Sequence, residues 1–331
     1  MTFDDVKAQP SAVRVLRAAL DRDRVASAYL FEGPSGIGKE RTAIAFASAA
    51  LCTKKPNVGC GACETCRRVE GGKHPDVRLI APREEGDRNL QVEYVRSEIL
   101  PFSQFAPFEG PRAFLIFREA DISLPAHHAE AANALLKTIE EPRARVHFVF
   151  LAERAERLLP TIRSRAQRVR FQRLPELTLS QILESRGVPK DKHARAIALA
   201  AGSADRALAF AGEGSEALAA LVRRTDAAIE SKKPSRVIAS AEELAKHDDL
   251  HLVLDVLSLH YRDVAWTSLH ARPPETSLLP GDELRERAKT LSAAGAARRA
   301  LALVSAQQKL ERAVNAELFL DALLPELARM R

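Results

Sequence analysis

Aromatic residues make up only 5% of this 331-residue sequence, with one Trp and three Tyr, while Ala and Leu abound. That balance argues against an all-β sandwich or barrel and predicts a mostly helical chain. No stretch approaches the ~20 apolar residues of a membrane span, and the first residues lack a basic segment leading into an apolar run. A cytoplasmic protein with no membrane partner is expected. Only four cysteines occur, all between positions 52 and 66, which excludes a disulfide framework spread along a secreted chain. Neither charge sign dominates: 50 Lys+Arg stand against 44 Asp+Glu, for a net charge of +6 and a pI of about 9.2. Such a balance permits an anionic partner such as nucleic acid without requiring one. With 46% hydrophobic residues, the chain is too long for one ordinary core, and two or three domains are expected.

The apolar run Tyr29-Leu30-Phe31-Glu32 breaks into Gly33-Pro34-Ser35-Gly36-Ile37-Gly38-Lys39-Glu40. This reads as strand, phosphate loop and helix. The spacing of Gly33, Gly38 and Lys39 fits the G-x-x-x-x-G-K loop, in which small residues such as Gly36 let backbone N–H groups wrap a polyphosphate. Lys39 would face the outer phosphates, and the following helix would add its dipole. Where a hydroxyl should hold Mg²⁺, however, the sequence has Glu40. A second departure lies at the end of the strand expected over residues 113–117. An acid that orders Mg²⁺ belongs there, but the chain continues Arg118-Glu119-Ala120-Asp121. Glu119 survives, and Arg118 brings the opposite charge. Both substitutions fall on metal-dependent hydrolysis, so the loop is expected to keep its shape and lose its turnover.

Cys52, Cys60, Cys63 and Cys66 follow a C-x7-C-x2-C-x2-C pattern. Two overlapping C-x2-C steps converge three thiolates, and Cys52 closes a tetrahedron from the end of the preceding helix. Zn²⁺ is the natural occupant, and four thiolates leave no position for water, so the site would be structural. His74 reads as a surface histidine. A helix through Val92, Val95 and Ile99 is expected to stop at Pro101, after a polar connector over residues 82–89. Further strands are expected over residues 77–80, 146–151 and 167–171, with an amphipathic helix, Ala131-Ala132-Asn133-Ala134-Leu135-Leu136-Lys137-Thr138-Ile139-Glu140-Glu141-Pro142, ended by proline. Strands alternating with helices in this way require an α/β unit with a five-stranded parallel sheet and helices on both faces. Seven arginines and no lysine lie between Arg154 and Arg173; most read as a solvated face. Beyond Pro175 the chain reads as helical, with one long irregular link over residues 270–280.

The loop, the four cysteines, the helix ending in Glu140-Glu141-Pro142 and the segment Thr161-Ile162-Arg163-Ser164-Arg165 together resemble the bacterial clamp-loader subunits of the AAA+ class. Within that class the pattern is similar to the δ′ type of DNA polymerase III. Specific motifs cover about the first 210 residues. The family's S-R-C motif is met by Ser164 and Arg165 and departs at Ala166. Its sensor hydroxyl is missing from Ala152-Glu153-Arg154. The resemblance implies an AAA+ nucleotide-binding-like domain over 1–174 with a zinc module at 52–66, a helical lid over 175–212 ending at the hinge Gly212-Glu213-Gly214-Ser215, and a helical collar over 213–331. It implies that Arg206 is the lid's sensor arginine, and that Arg165, with Ser164, is an arginine finger reaching the ATP of a neighbouring subunit. It implies τ/γ and δ partners in a hetero-pentamer, a sliding clamp, primer-template DNA and a place near the nucleoid. An ATP-hydrolysing τ/γ-type subunit would need Thr in place of Glu40 and Asp in place of Arg118. A zinc-bearing DNA-binding adaptor with a vestigial loop is the other alternative, and nucleotide binding by the chain itself stays open.

Overall fold

The computed structural model describes residues 1–82, 88–141, 145–212, 214–231, 233–247, 250–310 and 315–330. It divides the chain into two compact units, Met1–Leu179 with Gly202–Asp205, and Ser180–Ala201 with Arg206–Arg331. Among the described residues no helix is long and apolar enough to cross a membrane.

The first unit is built on five parallel strands, β1 (Ala28–Glu32), β2 (Val77–Ile80), β3 (Ala113–Phe117), β4 (Val146–Ala152) and β5 (Gln167–Arg170), in the order β2-β3-β4-β1-β5. β3 and β4 are buried along their whole lengths, which explains why β3 reads as an unbroken apolar run and β4 as one interrupted only by His147, without alternation. The scarce aromatics concentrate here. Phe117 and Phe150 stack at 5.0 Å on one face, and Phe46 packs edge-on between Tyr29 and Phe114, 5.4 Å from each, on the other.

Helix α1 (Pro10–Asp21) opens on a proline in its first turn and buries Ala12, Leu16 and Leu20. Helix α2 (Lys39–Leu51) is buried at every position from Thr42 to Leu51, as its run of alanines permits. Helix α3 (Glu64–Glu70) follows the cysteines. The segment expected to stop at Pro101 does not stop there. Helix α4 (Val92–Tyr94) passes through a π turn over Val95–Ile99 into α5 (Leu100–Gln104). The Leu100 N–H donates to Val95 O, five residues back. The wider turn resets the ladder, so Pro101 stands in the first turn of α5, where its missing N–H costs nothing. Of the expected connector, residues 83–87 lie outside the described residues, as does Pro142.

Helices α6 (Ala120–Ser123), α7 (Ala129–Glu140) and α8 (Pro160–Arg165) complete the layer against β3 and β4. Ala131, Ala132, Leu135 and Ile139 of α7 share one core cluster with Ile162 and Ala166. Helix α9 (Glu176–Ser185) leads out of the first unit.

The second unit is helical, with α10 (His193–Ala200), α11 (Ala204–Ala211) from Arg206 onward, α12 (Gly214–Ser231), α13 (Pro234–Ala245), α14 (Leu250–His270), α15 (Gly281–Thr290), α16 (Ala293–Leu310) and α17 (Ala316–Arg329). Glu213 of the expected hinge lies outside the described residues. Arg299, 1% exposed, is among its largest fully buried side chains. It meets Glu230 at 2.7 Å and donates to Met330 O at 3.0 Å, while Arg287 bonds Asp226 at 2.7 Å and Tyr261 donates to the same carboxylate at 2.8 Å. Burial alone would raise the Asp226 carboxyl, but His260 and Arg287 beside it outweigh burial and hold it well below the usual range.

A buried histidine in β4 makes the first unit sensitive to acid. His147 Nδ1–H donates to Ala26 O at 2.8 Å, and its Nε2 accepts from Arg112 at 3.2 Å. Burial, with Arg112 adding to it, pushes the imidazole down to about 4. The unfolded chain takes up this proton near pH 6.5, so stability should fall as pH drops from there toward 4. Relative to a His147→Asn variant, which keeps the bond to Ala26, the unmodified protein should lose about 2 kcal/mol more between pH 7 and pH 5. Urea midpoints that decline in parallel for the two proteins would refute this.

Candidate functional site

Parallel strands place their C-terminal ends at one edge, and there β1 gives way to the phosphate loop. Gly38, at φ 95°, caps α2 in a conformation closed to most side chains. Lys39 Nζ turns back to donate to Gly33 O at 2.6 Å and Pro34 O at 2.5 Å. Burial lowers the Lys39 ammonium, and the carboxylates of Glu153, Asp121, Asp205 and Glu119 pull it back up. A lysine expected to face phosphates therefore sits among acids.

The two departures at the magnesium shell meet each other. Arg118, leaving β3, forms an ion pair with Glu40 in the first turn of α2, with the side chains 40% and 39% exposed. Glu40 also lies at the positive end of the α2 dipole. Glu119, at φ 42°, caps α6 and pairs with Arg88 at 2.6 Å. The Asp121 carboxylate accepts the N–H groups of Glu153 at 3.3 Å and Arg154 at 3.0 Å, and burial pushes it up against that donation. Asp121 thus ties the end of β4 to α6, where the sequence had offered no sensor hydroxyl.

The tip of the loop is covered from within the first unit. Gly36 O accepts the Ala204 N–H at 2.8 Å. A side chain at Gly36 would collide with the Ser203 hydroxyl and lie 2.9 Å from the Asp205 carboxylate. Arg206, expected to serve the nucleotide, belongs to the second unit and pairs with Asp255 of α14. The residue of that segment set against the loop is Asp205. Sequence reading passed over Asp205 because nothing in the local pattern marks an acid in that segment as a neighbour of the loop.

At the far side of α2 the four cysteines converge. Their sulfurs all lie within 4.8 Å of one another, with Cys52 and Cys63 at 3.9 Å and Cys60 and Cys66 at 4.0 Å. Sulfurs around a tetrahedral ion with metal–sulfur bonds of ~2.3 Å would be about 3.8 Å apart, so the donor set fits a metal. N–H donation from Ala62 and Cys63 draws the Cys60 thiol down to about 6, and burial pushes Cys66 up to about 12. His74 is buried rather than surface-exposed. Its Nδ1 accepts the Asp76 N–H at 3.2 Å, and Asp76 in turn accepts the N–H groups of Phe108, Glu109 and Gly110. The histidine closes a turn and stands outside the four-sulfur group.

Arg165 stands apart from all of this, at the opposite edge of the sheet, just before β5. Its Nη1 donates to Thr161 O at 3.1 Å and to the Ser164 hydroxyl at 3.3 Å, and its Nη2 pairs with Glu140 at the end of α7.

A family model described as DNA polymerase III, delta subunit, matches residues 8–175. The chain is 34% identical over 177 residues to DNA polymerase III subunit delta' of Bacillus subtilis, a match covering 53% of this chain and 51% of that protein. It is 28% identical over 299 residues to the subunit delta' of Escherichia coli, covering 85% of this chain and 87% of that one. It is 34% identical over 209 residues to the subunit gamma/tau of Mycobacterium tuberculosis, covering 61% of this chain and 34% of that protein. The chain thus spans about half the length of its Bacillus relative.

The Glu40–Arg118 pair should be measurable as a coupling. In a double-mutant cycle built from Glu40→Gln and Arg118→Gln, the coupling in chemical denaturation should be about 0.5–1 kcal/mol at low salt, given partial exposure, and should shrink at ~1 M salt. No coupling at low salt would mean that the pair does not form in solution.

Proposed function

The chain belongs to the family of DNA polymerase III delta subunits, and from that premise we propose that it is a clamp-loader subunit of the δ′ kind that does not itself hydrolyse ATP. The observation that carries this reading is the Glu40–Arg118 ion pair: the two groups at the magnesium shell neutralise one another where a hydroxyl and an acid would hold the ion. The lysine engaged by Gly33 O and Pro34 O and ringed by carboxylates supports it. A τ/γ-type ATPase would require both groups changed. On this reading the chain works through its surfaces, in the cytoplasm near the nucleoid. It joins τ/γ and δ subunits in a ring of five that loads a sliding clamp onto primer-template DNA. The division into a sheet domain over 1–174, a lid over 175–212 and a collar over 213–331 is part of the same proposal, as is Arg206 acting with the lid.

Cys52, Cys60, Cys63 and Cys66 would hold a structural Zn²⁺, which supplies folding energy to residues 52–66 and takes no part in any reaction. Freshly purified protein should carry close to one zinc per chain, and Cys60→Ser should lose it while the sheet stays folded. Less than about half an equivalent in the unmodified chain would contradict the assignment.

Arg165 is proposed to complete a neighbour's ATP site. Its guanidinium is partly exposed at the sheet edge opposite its own phosphate loop, and it offers the planar fork that phosphate recognition favours. The isolated chain should show negligible ATP turnover, and Glu40→Thr alone should not create it, since Arg118 would remain. Arg165→Ala should leave assembly intact and slow the DNA- and clamp-stimulated ATPase of the complete loader by ~10³-fold or more. Appreciable turnover by the isolated chain would overturn the first claim, and an undiminished loader the second.

A further inference from the structure

Resting on that reading of Arg165, we propose that Glu140 is its positioning residue: the carboxylate at the end of α7 holds the guanidinium in the plane and direction from which it meets the neighbour's phosphate. Topology brings the two together. Glu140 ends the helix before β4 and Arg165 ends the helix before β5, strands that both pair with β1, so both residues stand at the N-terminal edge of the sheet. The helices behind them are fixed by packing, because Ile139 beside Glu140 and Ile162 below Arg165 are buried in one core cluster. Neither anchor can shift without opening that core.

An arginine side chain has many rotamers and loses that freedom when it is held in one orientation. Here it is held from two sides. Nη1 is tied to its own helix by Thr161 O and the Ser164 hydroxyl, and Nη2 is tied to a different helix by Glu140. The bonds to its own helix fix the end of the side chain but leave its plane free to rotate, and the bond to α7 removes that freedom. The pair is 37% and 44% exposed, so solvent screens it and a doubly charged phosphate oxygen cluster can draw on the guanidinium at little cost. Glu140 touches no reacting atom and acts through Arg165 alone.

The test is the stimulated ATPase of the assembled loader, measured with ATP, primed DNA and clamp across a series of variants in this chain. Glu140→Ala should lower kcat by about 10-fold while leaving the KM for ATP unchanged, the signature of a misplaced group. Glu140→Gln keeps an oxygen for Nη2 and should stay within about 2-fold, whereas Glu140→Asp keeps the charge, falls short in reach and should behave like alanine. In an Arg165→Ala background, Glu140→Ala should have no further effect. Since Glu140 is exposed, thermal melting and assembly should be unchanged throughout. If Arg165→Ala is slow but Glu140→Ala runs at the unmodified rate, the positioning role is wrong and the finger stands. If Arg165→Ala itself runs normally, both fall. If the alanine and glutamine variants both run faster than the unmodified loader, the carboxylate restrains the arginine and the proposal is overturned.

Discussion

A parallel sheet buried on both faces imposes one constraint from which the rest follows: every strand must end at the same edge. Backbone turns, helix N-termini and the residues that follow each strand therefore collect along one rim, and the residues that precede each strand collect along the other. The phosphate loop after β1, Arg118 after β3 and Glu153 after β4 share the first rim. Glu140 and Arg165 share the second. Separation of the phosphate loop from the arginine proposed to act on a neighbour is thus a property of the topology, set before any particular side chain is chosen.

Charge at the first rim is balanced internally. A glutamate alone at the start of α2 would add to the carboxylates already crowding Lys39, and an arginine alone after β3 would leave a cation without a counter-charge at a half-buried position. Together they pair between the start of α2 and the end of β3. The cover supplied by Ala204 and Asp205 adds a further acid and a backbone bond to the loop tip.

The sheet was legible because burial on two faces leaves a plain signature, a run of apolar residues such as Ala113-Phe114-Leu115-Ile116-Phe117 with no polar interruption. The thiol cluster was legible because ligand spacing is local. Pro101 misled because a proline stops a regular ladder, and a π turn changes the ladder just before it. His74 misled because a histidine beside a metal motif gives no sign of whether a turn has closed over it. The apolar patterning of the second unit was visible, but the bond network around Asp226 and Arg299 was not, since its members come from four helices and the residue that follows α17.

By itself the sequence determined the order of strands and helices, the convergence of four cysteines, and the mismatch of Glu40 and Arg118 with magnesium chemistry. These rest on periodicity, spacing and residue type, which are readable within a few tens of residues. Only the tertiary structure decided that Glu40 and Arg118 answer each other, that Asp205 lies against the loop, and that Glu140 pairs with Arg165. Each of these is a meeting of side chains from elements far apart in the chain, and the distance between two charges is fixed by the packing of the backbones that carry them.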